Sequence, residues 1–168
     1  MESLALMRWR KFGSLHVRAR QRELDSLHFA AYIAARNDLE RALLENQRSV
    51  LKPEQFSREY LRIVQGLHVN LQFHNRTLRT PTLDVSRGGF AVLLTFLPEI
   101  DEKVNACIEM PRKQRLITGA RVANVLHLPS VDRFRVGFQS DALKESDVEP
   151  LSMLIFDRVV TVLEKLAA

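Results

Sequence analysis

TPTLDVSRGGFAVLLTF (residues 80–96) places two runs of strand-forming residues, TPTLDVS and FAVLLTF, on either side of a polar corner. The corner carries an acid, a hydroxyl, an arginine and two glycines, which a strand built only for packing does not need. Asp84 and Ser86 stand two apart at a strand end, so their side chains share one face of a sheet. Gly88 and Gly89 allow a turn that a residue with a Cβ resists, and they let another backbone approach closely. The stretch therefore reads as strand, turn, strand, with chemistry placed at the turn.

The flanking sequence continues the pattern. LHVNLQF (67–73) alternates apolar and polar residues as a half-buried strand does, and VNACIEM (104–110), LITGARVANVLHL (116–128) and FRVGFQ (134–139) follow at short spacing with turn residues between them. Short strands in such succession, without intervening helices, make a mainly β domain, an antiparallel barrel or sandwich. Upstream, residues 21–47 contain no Gly or Pro and place Leu24, Leu27, Ala31 and Ala34 in one apolar row and Tyr32, Leu39 and Leu43 in a second. One long helix is expected there, carrying more apolar surface than a solitary surface helix needs, so it packs on the chain or on another copy. Pro53 ends it at the latest. Downstream, Ser146 and Glu149 have capping-box spacing, Pro150 falls in the first turn, and Leu151, Ile155, Val159, Leu163 and Leu166 form the stripe of a C-terminal helix. The expected organisation is a helical extension over 1–50, a connector over 51–65, the β domain over 66–145 and a closing helix over 146–168.

Composition narrows the chemistry. The 168 residues suffice for one globular domain and an appended element, and a net charge of +5 favours anionic partners. Cys107 is the lone cysteine, which excludes an intramolecular disulfide and a thiolate metal cluster and fits a reducing, cytoplasmic setting. MRWRKF (7–12) does not read as a secretory signal, so none is expected, and no apolar run of eighteen residues is present. The five histidines show neither HExxH nor paired helical spacing, and no GxSxG, GxxxxGK or GxGxxG is present. No catalytic residue, metal or cofactor is expected, and the chain does not read as an enzyme. Aromatic residues do not alternate with arginines on any one strand, so a platform for stacking nucleic-acid bases is not expected either.

What remains is a set of anion-binding groups. Arg58-Glu59-Tyr60-Leu61-Arg62, then a strand, then Asp84-Val85-Ser86-Arg87-Gly88-Gly89, resemble the two signature motifs of PilZ domains, RxxxR and DxSxxG. PilZ domains are bacterial receptors for the second messenger cyclic di-GMP. The resemblance runs from about Ser57 to the C-terminal helix and takes in GARVANVL and the closing FRVGFQ, but not residues 1–50. It implies a six-stranded antiparallel β-barrel flanked by a long N-terminal helix and a C-terminal helix, a non-enzymatic receptor, and a ligand site formed by Arg58, Arg62, Asp84, Ser86 and Gly89. The chemistry of these residues agrees with that implication. Arginine forks bond phosphate oxygens or the O6/N7 edge of guanine bidentately and stack on bases, and a carboxylate accepts from a guanine N–H edge.

Bland readings compete at each position. Arg58 and Arg62 at i, i+4 could share the exposed face of a short helix in PEQFSREYLRI, and Asp84 and Ser86 could simply bond their own backbone in a turn. A marginal helix that gives way when ligand binds reconciles the two views of the arginines, so residues 53–65 are expected to reorganise on binding. Arg76, Arg79, Arg87, Arg121, Arg133 and Arg135 are further candidates that sequence does not separate from surface residues. The basic start, with Trp9 and Phe12, could touch anionic lipid, although a solvated terminus is the simpler reading. Expected partners are cyclic di-GMP, a protein effector and a second copy through the helices.

Overall fold

The computed structural model describes residues 4–49 and 59–168. Among the described residues there are seven strands: β1 (Ile63–Val64), β2 (His68–Gln72), β3 (Thr77–Ser86), β4 (Gly89–Leu94), β5 (Lys103–Glu109), β6 (Arg115–Leu128) and β7 (Arg133–Ser140). All pairings are antiparallel, in the order β3-β2-β5-β6-β7-β4, and β3 pairs again with β4 to close a six-stranded barrel. The two residues of β1 lie beside the end of β3, Ile63 opposite Val85 and Val64 opposite Asp84.

Strand alternation sends one set of residues inward. Val69, Leu71, Val85, Phe90, Val92, Val104, Ala106, Ile108, Val122, Val136 and Phe138 are all buried, and Phe90 stacks on Phe138 with ring centroids 5.0 Å apart. Each Val, Leu, Ile or Phe side chain among them contributes roughly 1.5–3 kcal/mol by leaving water. Two register shifts break the regular ladder, between Thr82 and Asp84 on β3 and between Val122 and Asn124 on β6. A bulge of this kind changes which residues share a face beyond it.

Among the described residues there are three α-helices: α1 (Leu4–Arg20), α2 (Ser26–Ser49) and α3 (Glu145–Ala167). The chain divides into two compact units, Arg62–Phe156 and a second made of Met1–Leu61 with Asp157–Ala168. In the barrel unit the early residues of α3, Leu151, Leu154, Ile155 and Phe156, are buried. The helix begins at Glu145, one residue before the expected cap.

The long helix expected over 21–47 is present as α2, and a further helix precedes it. The basic segment read as a solvated terminus is itself helical as α1, and α2 starts only at Ser26 after a turn in which Arg22 has φ 58°. Asp25 fixes that start: the His28 backbone N–H donates to its Oδ1 at 2.8 Å, and His28 Nδ1 stands 2.7 Å from the same oxygen. These bonds, the backbone one foremost, hold the Asp25 carboxyl below the usual carboxylate range. α1 and α2 meet through Phe12, which stacks on Tyr32 at 5.6 Å, and His16, which shares a 3.1 Å hydrogen bond with the Tyr32 hydroxyl. The other ring nitrogen of His16 lies 2.8 Å from Asp157, also paired with Arg20. Of the two apolar rows on α2, Tyr32 and Leu39 are buried, whereas Leu27, Ala31 and Ala34 face solvent.

Candidate functional site

Register places the corner residues. Asp84 stands opposite Ala91 of β4, Ala91 opposite Gly137 of β7, and Gly137 opposite Asn124 of β6. Residues directly opposite across antiparallel strands share a face, so these four form one row over four strands on the outside of the barrel. Ser86, Gly89, Gln139 and Arg121 make the next row, and Leu93, Arg135 and Leu126 the row on the other side.

Asp84 is the centre of charge. The Nη2 of Arg135 donates to its Oδ2 at 2.5 Å, and Arg62 Nε lies 3.5 Å from its Oδ1. The carboxylate side chain is only 10 % exposed, whereas each guanidinium is about one-third exposed at 33 % and 31 %. Oδ1 is buried and has no hydrogen bond, since the Arg62 contact is too long to be one. An acceptor left in that state is costly, and a donor arriving from outside would satisfy it. The acid thus aligns two cations beside a floor of small residues, Ala91 and Gly137, both buried. A Cβ at Gly137 would come within 2.7 Å of Asn124 Oδ1, so the Asn124 amide lies over that floor.

Ser86 and Gly89 have a different task. The Ser86 hydroxyl donates to the Gly89 carbonyl at 3.3 Å and accepts from the Gly88 N–H at 3.2 Å, while the Ser140 N–H donates to the Gly88 carbonyl at 3.0 Å. Gly89 has φ 158°, and a Cβ there would overlap the carbonyl oxygen of Phe138. Both residues build the turn that presents Asp84. For Ser86 the backbone-bonding reading therefore holds, and for Asp84 it does not.

Of the five sequence-derived site residues, Arg62, Asp84, Ser86 and Gly89 come together at one end of the β3–β4 hairpin, and Arg58 lies outside the described residues. Residues 59–62 are not helical, so at Arg62 the helical alternative gives way to an ion pair with Asp84. Arg135 emerges from the pool of six further arginines because register sets it two residues from Gly137 on the Asp84 face. Arg121 is engaged by Asp101 at 2.8 Å and Gln139 at 2.6 Å. Asn124 was missed by sequence reasoning, since its face depends on the bulge after Val122. Among the described residues no cluster of three or more His, Cys, Asp or Glu could hold a metal ion, and no helix is long and apolar enough to cross a membrane.

With this geometry in hand, the comparison with known families decides the assignment: the PilZ domain description matches residues 56–157, more than half of the chain. The chain belongs to the PilZ domain family. PilZ proteins form a non-catalytic receptor family, so this chain is not an enzyme. No curated protein matches it. Among solved structures, it is similar to Bacillus subtilis inhibitor of motility MotI/DgrA, with 22 % identity, a TM-score of 0.55, and coverage of 61 % of this chain and 51 % of that one. YcgR from Escherichia coli, in complex with c-di-GMP, gives 19 % identity, a TM-score of 0.57, and coverage of 66 % and 50 %. The K. pneumonia MrkH–c-di-GMP complex gives 15 % identity, a TM-score of 0.57, and coverage of 64 % and 55 %. The PilZ match thus spans about half the length of each of these proteins and shares their fold.

Proposed function

We propose that this PilZ protein is a cytoplasmic receptor for cyclic di-GMP that changes its protein contacts when the nucleotide binds. The observation that carries the reading is the convergence of Arg62 and Arg135 on buried Asp84 beside the Ala91–Gly137 floor. Arg58 and Arg62 would grip phosphate or the guanine O6/N7 edge, and Arg135 would supply a third fork to the same ligand. The open acceptor on Asp84 Oδ1 suits a guanine N–H, with Ser86 and Gly89 holding the corner in place. YcgR and MrkH, both solved with c-di-GMP, carry the same fold. Titration calorimetry with cyclic di-GMP tests the proposal. Wild type should bind, and Arg62→Ala and Arg135→Ala should each weaken binding by about 10- to 100-fold, the equivalent of a charge-assisted hydrogen bond worth roughly 1.5–3 kcal/mol. Absence of heat with wild type overturns it.

A second reading is favoured by one observation, the exposure of Leu27 (78 %) and Phe29 (43 %) on α2. In that reading the protein is an oligomeric interaction scaffold with weak nucleotide binding or none. Light scattering should then show a wild-type oligomer that Leu27→Glu and Phe29→Glu together reduce to monomer. A monomeric wild type rules this reading out.

A further inference from the structure

The barrel wall is not closed along its full height. Pairing between β3 and β4 runs from Ser86 and Gly89 to Thr82 and Val92 and then stops, although both strands continue. Continued on the same count, the ladder would join Pro81 to Leu93 and Thr80 to Leu94. Instead these stretches border a cleft of about 320 Å³ whose lining includes Leu78, Arg79, Thr80, Leu93, Leu94 and Phe96.

Pro81 accounts for the opening. The Thr82 N–H donates to the Leu67 carbonyl at 2.8 Å, which puts the Thr82 amide on the β2 side of the strand. Hydrogen-bonding direction alternates along an antiparallel strand, so Thr80 and Leu78 also face β2, while Pro81, Arg79 and Thr77 face β4. Pro81 has no N–H to give to the ladder. Beyond it, no strand among the described residues pairs with the β4 side of β3 at Arg79 and Thr77, and such an edge is the kind of template that accepts another extended chain.

The surroundings state what that chain should carry. The Arg76 guanidinium, also on the cleft, sits 3.9 Å above the Phe96 ring, and Arg79 is 3.0 Å from Glu109. The cleft itself is lined by two arginines and no acid. Leu97, next in the chain after Phe96, is 65 % exposed.

We propose that this seam docks an extended acidic segment of a partner protein. The segment adds a strand to the edge of β3 beyond Pro81, rests apolar side chains on the half-buried Leu78 and Phe96, and places carboxylates against Arg76 and Arg79. The seam is roughly 16 Å along β3 from Asp84, at about 3.3 Å per residue, and docking there stands whether or not the Asp84 corner binds a nucleotide.

The test pans a display library of random peptides against the full chain, then studies a synthetic copy of the dominant peptide. Recovered sequences should be rich in Asp and Glu and lack interior Pro. The peptide should slow amide exchange at Thr77 and Arg79, and lose affinity about tenfold with either Arg76→Gln or Arg79→Glu, both at exposed positions, while circular dichroism shows the fold of each variant retained. Inorganic phosphate at constant ionic strength should leave binding intact. Recovery of no peptide, peptides indifferent to both substitutions, binding without protection of those two amides, or displacement by phosphate would each overturn the proposal.

Discussion

Asp84, Ser86 and Gly89 belong to one motif but carry separate loads. Asp84 faces outward and aligns Arg62 and Arg135, whereas Ser86 and Gly89 spend their polar and steric freedom on the turn. Substitutions should separate the two. Gly89→Ala drives a Cβ into the Phe138 carbonyl and should cost about 2 kcal/mol or more, a fall in Tm of about 6 °C by calorimetry. Ser86→Ala loses two long turn bonds and should cost about 1 kcal/mol. Asp84→Ala should lower cyclic di-GMP affinity more than Ser86→Ala does, because it frees both guanidinium groups from alignment. The motif residues were legible in sequence because each is defined by local spacing. Arg135 was not, since its place beside Asp84 depends on two strand registers and no local pattern marks it among six arginines. Asn124 was still less accessible, because the bulge that turns its side chain onto the Asp84 face has no signature in GARVANVL.

At the scale of single elements, the strands followed their alternation closely: LHVNLQF became β2 (His68–Gln72) and FRVGFQ became β7 (Arg133–Ser140). The helical region was harder to divide. Nothing between Gln21 and Gln47 breaks a helix by composition, so the break is made by Arg22 in the left-handed region and by Asp25 capping the first turn of α2. The arginines of α1 hid an apolar contact set that only the pairing of Phe12 with Tyr32 reveals. Asp25 supplies a test with a defined sign. Its carboxyl is held below its ordinary value in the folded chain, chiefly by the His28 backbone N–H. A depressed carboxylate stabilises above its unfolded pKa, about 3.9 for Asp, and that contribution fades as pH falls through the folded value. Wild type should therefore melt at a higher temperature than Asp25→Ala near neutral pH, and the gap should close on acidification below about pH 4. A gap that persists at low pH would assign the effect to something other than the ionised cap.

For the molecule as a whole, the boundary between the compact units falls between Leu61 and Arg62, inside the stretch that holds the RxxxR motif. Arg62 is the first residue of the barrel unit and lies 3.5 Å from Asp84. One member of the arginine pair is therefore held at the barrel by the Asp84 carboxylate. On the proposed function, Arg58 and the rest of the connector close over the nucleotide, so binding should register there. Hydrogen exchange followed by mass spectrometry should show cyclic di-GMP slowing exchange over residues 53–61, with far smaller changes at Ile63 and Val64, which already pair with β3. Arg58→Ala should abolish the slowing over 53–61 while leaving β1 unchanged. Equal protection of 53–61 with and without saturating nucleotide would mean that the arginine pair does not close over the ligand, and the signal would then have to leave the barrel by another route.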